Sequence, residues 1–225
     1  MAVSWRGTSE FILVACLFLF LSSLIPLYLL TKEYGWDTAL STVGLLALFA
    51  YLIEMLGVAT GFPYGSFQYL DGLGPLVAGV PWMLPFAWVP LILGVMQIML
   101  RLTSNKASRV LGIAWVLVAL DLVLDPGAVA LGLWKYDAGG AYFSVPWTNF
   151  VGWIISGSFG GWLSLRCLSE PKANLAYWSV PLVSTLGFWS MVCLRAGFNT
   201  PSILGVFLAA GLISLIIRDE KACIC

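Results

Sequence analysis

Seven stretches of the chain are nearly free of charge and long enough, or almost so, to cross a bilayer: residues 11–30, 39–60, 82–100, 110–130, 150–166, 177–194 and 202–217. Crossing about 30 Å of hydrocarbon takes roughly 20 mainly apolar residues. The expected fold is therefore an all-α integral membrane bundle of about seven transmembrane helices, with residues 1–225 forming one polytopic domain. Composition agrees, since only 10% of the chain is charged, against about 25% in soluble domains. The first stretch lacks a small-residue cleavage site and runs too long for a signal peptide, so it reads as a helix. Neither an internal repeat nor a low-complexity tract is visible.

Basic residues orient this bundle. Arg6, Lys135 and Arg195 fall on one side, and Lys32, Arg101, Lys106, Arg109, Arg166, Lys172, Arg218 and Lys221 on the other. The positive-inside rule predicts a cytoplasmic C-terminus and an N-terminus outside. The two longest connections, 61–81 and 131–149, then lie on the outer face. They carry Gly, Pro, Trp and Tyr in place of charge, which suits the membrane interface. Each is long enough to fold back over the bundle as a lid.

The chain contains no histidine. That excludes iron sites built from histidine clusters, histidine-ligated haem and serine–histidine hydrolysis, where imidazole is ligand or base. Formal net charge is zero with no basic tail, so nothing favours nucleic acid. The five cysteines have neither zinc nor disulfide spacing, and Cys223-Ile-Cys225 reads as an idle tail, with lipidation or metal binding as alternatives. Chemistry must rest on carboxylates, tyrosines, arginine or backbone.

Acidic groups at bilayer depth cost at least about 2.5–3.5 kcal/mol and usually mark function. Glu54, Asp121 and Asp125 qualify. Glu54 lies about 9 Å below the outer end of the second span, at 1.5 Å per residue. Asp121 falls near mid-membrane, and Asp125 one turn further out on the same helix face. All three thus converge beneath the aromatic outer loops, as a shared functional cavity or as a structural polar network to Ser, Tyr, Trp or Arg195. Pro126 predicts a kink next to Asp125. Asn149 opens the fifth span, where it is expected to cap the helix; the alternative is an amide that orients a water or a substrate oxygen.

The residues around these acids resemble the CruF-type carotenoid hydratase family of bacteria and archaea. The similar blocks are Glu54-x-x-Gly57-x-x-Thr60-Gly61-x-Pro63-x-Gly65-x-Phe67-x-Tyr69, Gly79-Val80-Pro81, Asp121-Leu122-Val123-Leu124-Asp125-Pro126, and Tyr142-x-x-Val145-Pro146-x-x-Asn149-Phe150-x-Gly152-Trp153. They stand in the family's order between positions 54 and 153. The chain departs from the pattern at Tyr64-Gly65, where the family favours Phe-Gly, and at Trp134-Lys135-Tyr136, where it favours Trp-x-Trp. The resemblance implies a prokaryotic plasma-membrane enzyme that adds water across the terminal carbon–carbon double bond of an acyclic carotenoid, giving a tertiary alcohol. It implies lycopene- or γ-carotene-type ends, or C50 precursors of bacterioruberin, as substrates. Partners would be the lipid-soluble carotenoid, the bilayer and other carotenoid enzymes.

Such hydration needs a proton donor, a site tolerant of a tertiary cation, and a positioned water; it calls for no cofactor and no metal. A carboxyl buried in apolar surroundings can stay protonated at neutral pH, and neighbouring acids resist joint ionisation. Asp121 or Asp125 is then the expected general acid, with Glu54 positioning or deprotonating water. Aromatic faces attract a cation by about 0.5–2 kcal/mol. Tyr64, Phe67, Tyr69, Trp134 and Trp153 are candidates for that role, with Tyr142 and Asn149 completing the expected substrate site. A membrane isoprenoid cyclase would begin with the same protonation. A prenyltransferase would need a second acidic cluster besides Asp121-x-x-x-Asp125, and a retinal pigment would need a lysine within 202–217, which has none. A proton-coupled transporter would be expected to show repeat symmetry.

Overall fold

The structure is a computed structural model that describes residues 9–168, 170 and 174–224. Arg6, Lys172 and Cys225 lie outside the described residues, as does the side chain of Cys223. Each of the seven expected spans is a helix: α1 (Ser9–Tyr34), α2 (Trp36–Thr60), α3 (Leu84–Leu102), α4 (Lys106–Leu131), α5 (Trp147–Cys167), α6 (Leu175–Arg195) and α7 (Asn199–Ile224). α4 runs unbroken through Pro126, and α6 through Pro181 and Gly187. Local chemistry marks the ends. Asn105 caps α4 by accepting from the Ser108 amide at 2.9 Å, and Asn174 caps α6 by accepting from the Ala176 amide at 2.7 Å. α2 stops at Gly61, whose φ of 78° needs the left-handed region that glycine enters freely.

Six of these helices are long and apolar enough to cross a membrane by length and composition. α5 falls short of that measure, and its inner face is built from small residues. Ser156, Gly157, Gly160, Gly161 and Ser164 are buried along one stripe. A Cβ at Gly157 would stand 3.2 Å from the Ala114 Cα, and one at Gly161 3.0 Å from Ile113. This stripe lets α4 and α5 approach closely, as small residues do between membrane helices.

α3 forms the axis of the bundle. It packs against α1, α2, α4, α5 and α6, and its residues Trp88 to Leu100 are buried without interruption. A helix apolar on every side belongs in such an interior. The opposite end from the site is tied by Arg101, whose Nε lies 3.3 Å from Asp219 of α7, and by Asn174, which donates to Glu220 at 3.3 Å.

The all-α expectation needs one addition. The α2–α3 and α4–α5 connections meet over one end of the bundle as a short antiparallel ribbon of β1 (Phe67–Tyr69) and β4 (Trp134–Tyr136). Phe67 faces Tyr136, Gln68 faces Lys135 and Tyr69 faces Trp134. A smaller pair, β2 (Leu76–Val77) and β3 (Val80–Pro81), follows within the first connection. Alternation turns Gln68 and Lys135 outward, and Phe67, Tyr69, Trp134 and Tyr136 onto the helices.

Candidate active site

The three acids come from two helices that the ribbon covers. Glu54 of α2 and Asp121 and Asp125 of α4 are all buried, at 5%, 1% and 2% exposure. Their hydrogen-bond donors come from elsewhere in the chain. Tyr69 of β1 donates to Glu54 Oε2 at 2.9 Å, and Tyr136 of β4 donates to Asp125 Oδ2 at 2.6 Å. The ribbon therefore serves both helices with one phenol each. Burial pushes both phenols well above their usual range, so they stay protonated as donors.

Asn149 supplies the third connection. The expected cap is not formed: α5 begins at Trp147 with Pro146 in the capping position, which moves Asn149 into the first turn. Its side-chain nitrogen instead donates to Asp121 Oδ2 at 2.7 Å and to Asp125 Oδ2 at 2.6 Å. One amide thus uses both its hydrogens to join two carboxylates on the neighbouring helix. Arg195, considered from the sequence as a partner for these acids, is exposed at the end of α6.

A cavity of about 220 Å³ lies against these groups. Glu54, Asp125 and Asn149 reach it, as do Tyr64, Phe67, Tyr69, Trp134 and Trp153 of the expected substrate set. Two expected site residues stand apart. Asp121 lies behind the wall and touches the site through Asn149. Tyr142 is outside the cavity, with its hydroxyl donating to the Leu122 carbonyl at 3.0 Å and its ring against Phe143 and Phe150. Residue spacing located Tyr142 in the right loop but could not reveal which way that loop turns.

The walls are mostly aromatic. Trp88 stacks on Trp153 with ring centroids 4.4 Å apart and planes 9° apart. Phe67 meets Tyr69 edge-on at 5.5 Å, and Tyr69 meets Trp134 edge-on at 5.7 Å. Tyr64 is wedged between helices α2 and α5. A Cβ at Gly57 would lie 3.0 Å from its ring, and one at Gly152 would collide with it. Gly152 and Trp153, with Asn149 and Ser156, form one buried face of α5 at helical spacing.

Among the lining residues that escaped the sequence reading are Tyr136 and Trp88. Tyr136 stands in Trp134-Lys135-Tyr136, which alternates aromatic, charged, aromatic as a half-buried strand does, but three residues are too few to carry that signal. Trp88 stands in the apolar run from Trp82 to Met96, where composition singles out no position. Among the described residues no group of three or more His, Cys, Asp and Glu side chains is placed to hold a metal ion.

Comparison with known proteins places the chain in a family. Residues 11–212 match the family described as "Carotenoid biosynthesis protein". The bisanhydrobacterioruberin hydratase of Haloarcula japonica is 37% identical over 178 residues, covering 75% of this chain. The matched part spans 60% of that relative's length. No solved structure matches the chain. With nearly its whole helical bundle inside the family match, the chain belongs to the carotenoid biosynthesis protein family.

Proposed function

We propose that this membrane protein hydrates the terminal double bond of an acyclic carotenoid. The observation that carries the reading is the convergence of Glu54 and Asp125 on one aromatic-walled cavity. The name of the Haloarcula relative supports the reaction class. Asp125 is the acid that faces the alkene, and Asp121, joined to it through Asn149, holds it in place. Because two carboxylates so close resist joint ionisation, the pair carries one proton.

The Asp125 proton adds to the less substituted alkene carbon, and the π pair forms the new C–H bond. The tertiary carbon becomes cationic beside the faces of Trp88, Trp153 and Tyr64. Water attacks that carbon, and Glu54 accepts the proton that the new C–O bond releases. Return of that proton to Asp125 closes the cycle. The balance is alkene plus water giving alcohol, with no oxidant or reductant consumed. By the positive-inside count, the site lies in the outer half of a prokaryotic plasma membrane.

The test is expression in a lycopene-accumulating bacterium, with mass analysis of the pigments. Wild type should add the mass of one water; an isomer of unchanged mass would identify a cyclase instead. Glu54→Gln and Asp125→Asn should each lower conversion by about 10²–10⁴-fold, the range of a lost general acid or base. Asp121→Asn should lower it less. Full hydration in all three variants at unchanged protein level would defeat the carboxylate mechanism.

A further inference from the structure

The cavity is too small for the molecule it is proposed to act on. Sites that enclose a drug-sized ligand measure about 300–1,000 Å³, and this one measures about 220 Å³. It has room for an end group, while a long polyene must extend beyond it. The lining shows where. On α1 the wall is Val14, Phe18 and Ser22, and on α6 it is Pro181, Thr185 and Phe188. Val14 and Phe188 are also 61% and 37% exposed on the flank of the bundle, so the cavity wall reaches the surface between these two helices. Phe18 and Phe188 close that gap as a stacked pair, with ring centroids 5.6 Å apart and planes 24° apart.

Further along the same two helices lies a second hollow, lined by Leu24 and Tyr28 of α1 and by Tyr177 and Val180 of α6, with Lys32, Glu33 and Asn174 as its polar lining. From Val14 to Lys32 the helix rises about 27 Å at 1.5 Å per residue, close to the roughly 30 Å hydrocarbon thickness. We propose that the α1–α6 seam is the binding groove for the body of an isoprenoid chain, which enters sideways from the bilayer past the Phe18–Phe188 pair. The end group then sits at Glu54 and Asp125, and the chain lies lengthwise along the two helices. This rests on the carotenoid reading of the site and adds to it the route and lie of the substrate.

The junction of cavity and groove can be filled without touching the acids. Ser22→Trp and Thr185→Trp do so from opposite sides, and Phe207→Trp on exposed α7 serves as control. Each protein is purified from carotene-accumulating cells, and retained pigment is measured by absorbance per protein. Hydration is then compared for a long acyclic carotene and for a short isoprenoid hydrocarbon with the same terminal alkene. The control should match wild type. Both junction variants should retain about tenfold less pigment, the scale of overpacking a fitted space, and should lose hydration of the long substrate by a larger factor than hydration of the short one. Junction variants that hold as much carotene as wild type, or a wild type that holds none, would overturn the groove. Pigment lost from the junction variants, with no hydration even by wild type, would uphold the groove and remove the hydratase reading instead.

Discussion

Asn149 shows how much depends on a single side chain. It is 2% exposed, and its amide joins two buried carboxylates. Asn149→Leu keeps the volume but leaves both acids short of a donor, a loss of about 1–3 kcal/mol or more for charged groups. The expected result is a lower thermal midpoint in detergent together with loss of hydration. Tyr136 makes a separable case, because its ring would survive in Tyr136→Phe. Its bond is to the carboxylate that Asp125 becomes on giving up its proton; a hydrogen bond to a charged group is worth about 1.5–3 kcal/mol, so its loss corresponds to roughly a ten- to a hundredfold slower reaction. Tyr142→Phe is the matched control: its hydroxyl bonds a helix carbonyl away from the cavity, so conversion should stay at the wild-type rate. Of these residues, the acids were legible because charge inside an apolar run is conspicuous. The role of Asn149 was not, since an amide near a helix start looks like a cap until the helix is seen to begin at Trp147.

At the scale of elements, the ribbon and α5 decide the shape of the site. The ribbon lays four aromatic side chains over the acids, and Tyr64 docks where α2 and α5 lack side chains, at Gly57 and Gly152. Gly152→Ala places a methyl group against the Tyr64 ring and the Pro63 backbone. Backbone cannot move aside as a side-chain tip can, so overpacking of about 1–3 kcal/mol is expected. The check is a lowered thermal midpoint, with the protein still inserted and partial activity retained. The helices were readable because long apolar runs have few alternatives in a bilayer. The ribbon was not, because its strands are three residues long and belong to different loops. Alternation over so short a stretch is weak, and nothing local reports a partner that distant in sequence.

Across the whole molecule, α3 sets the arrangement, since five of the other helices pack on it. Stability at the end away from the site includes the Arg101–Asp219 pair, whose side chains are 15% and 22% exposed. Asp219→Asn leaves the largely buried Arg101 without that carboxylate and should lower the thermal midpoint by more than the roughly 1 kcal/mol of an exposed pair, with pigment conversion unchanged. A drop in conversion at normal stability would mean that the far end communicates with the site. The amino-acid order alone determined that this chain is a helical membrane bundle with acids at depth beneath aromatic loops, because the bilayer penalises every other placement of such runs and such charges. Tertiary structure alone decided which acids reach the cavity, which phenol serves each of them, and that Phe18 and Phe188 stack where the cavity wall meets the surface between α1 and α6. Those outcomes follow from contacts between segments far apart in the chain, and hydropathy, a property of each segment by itself, carries no record of them.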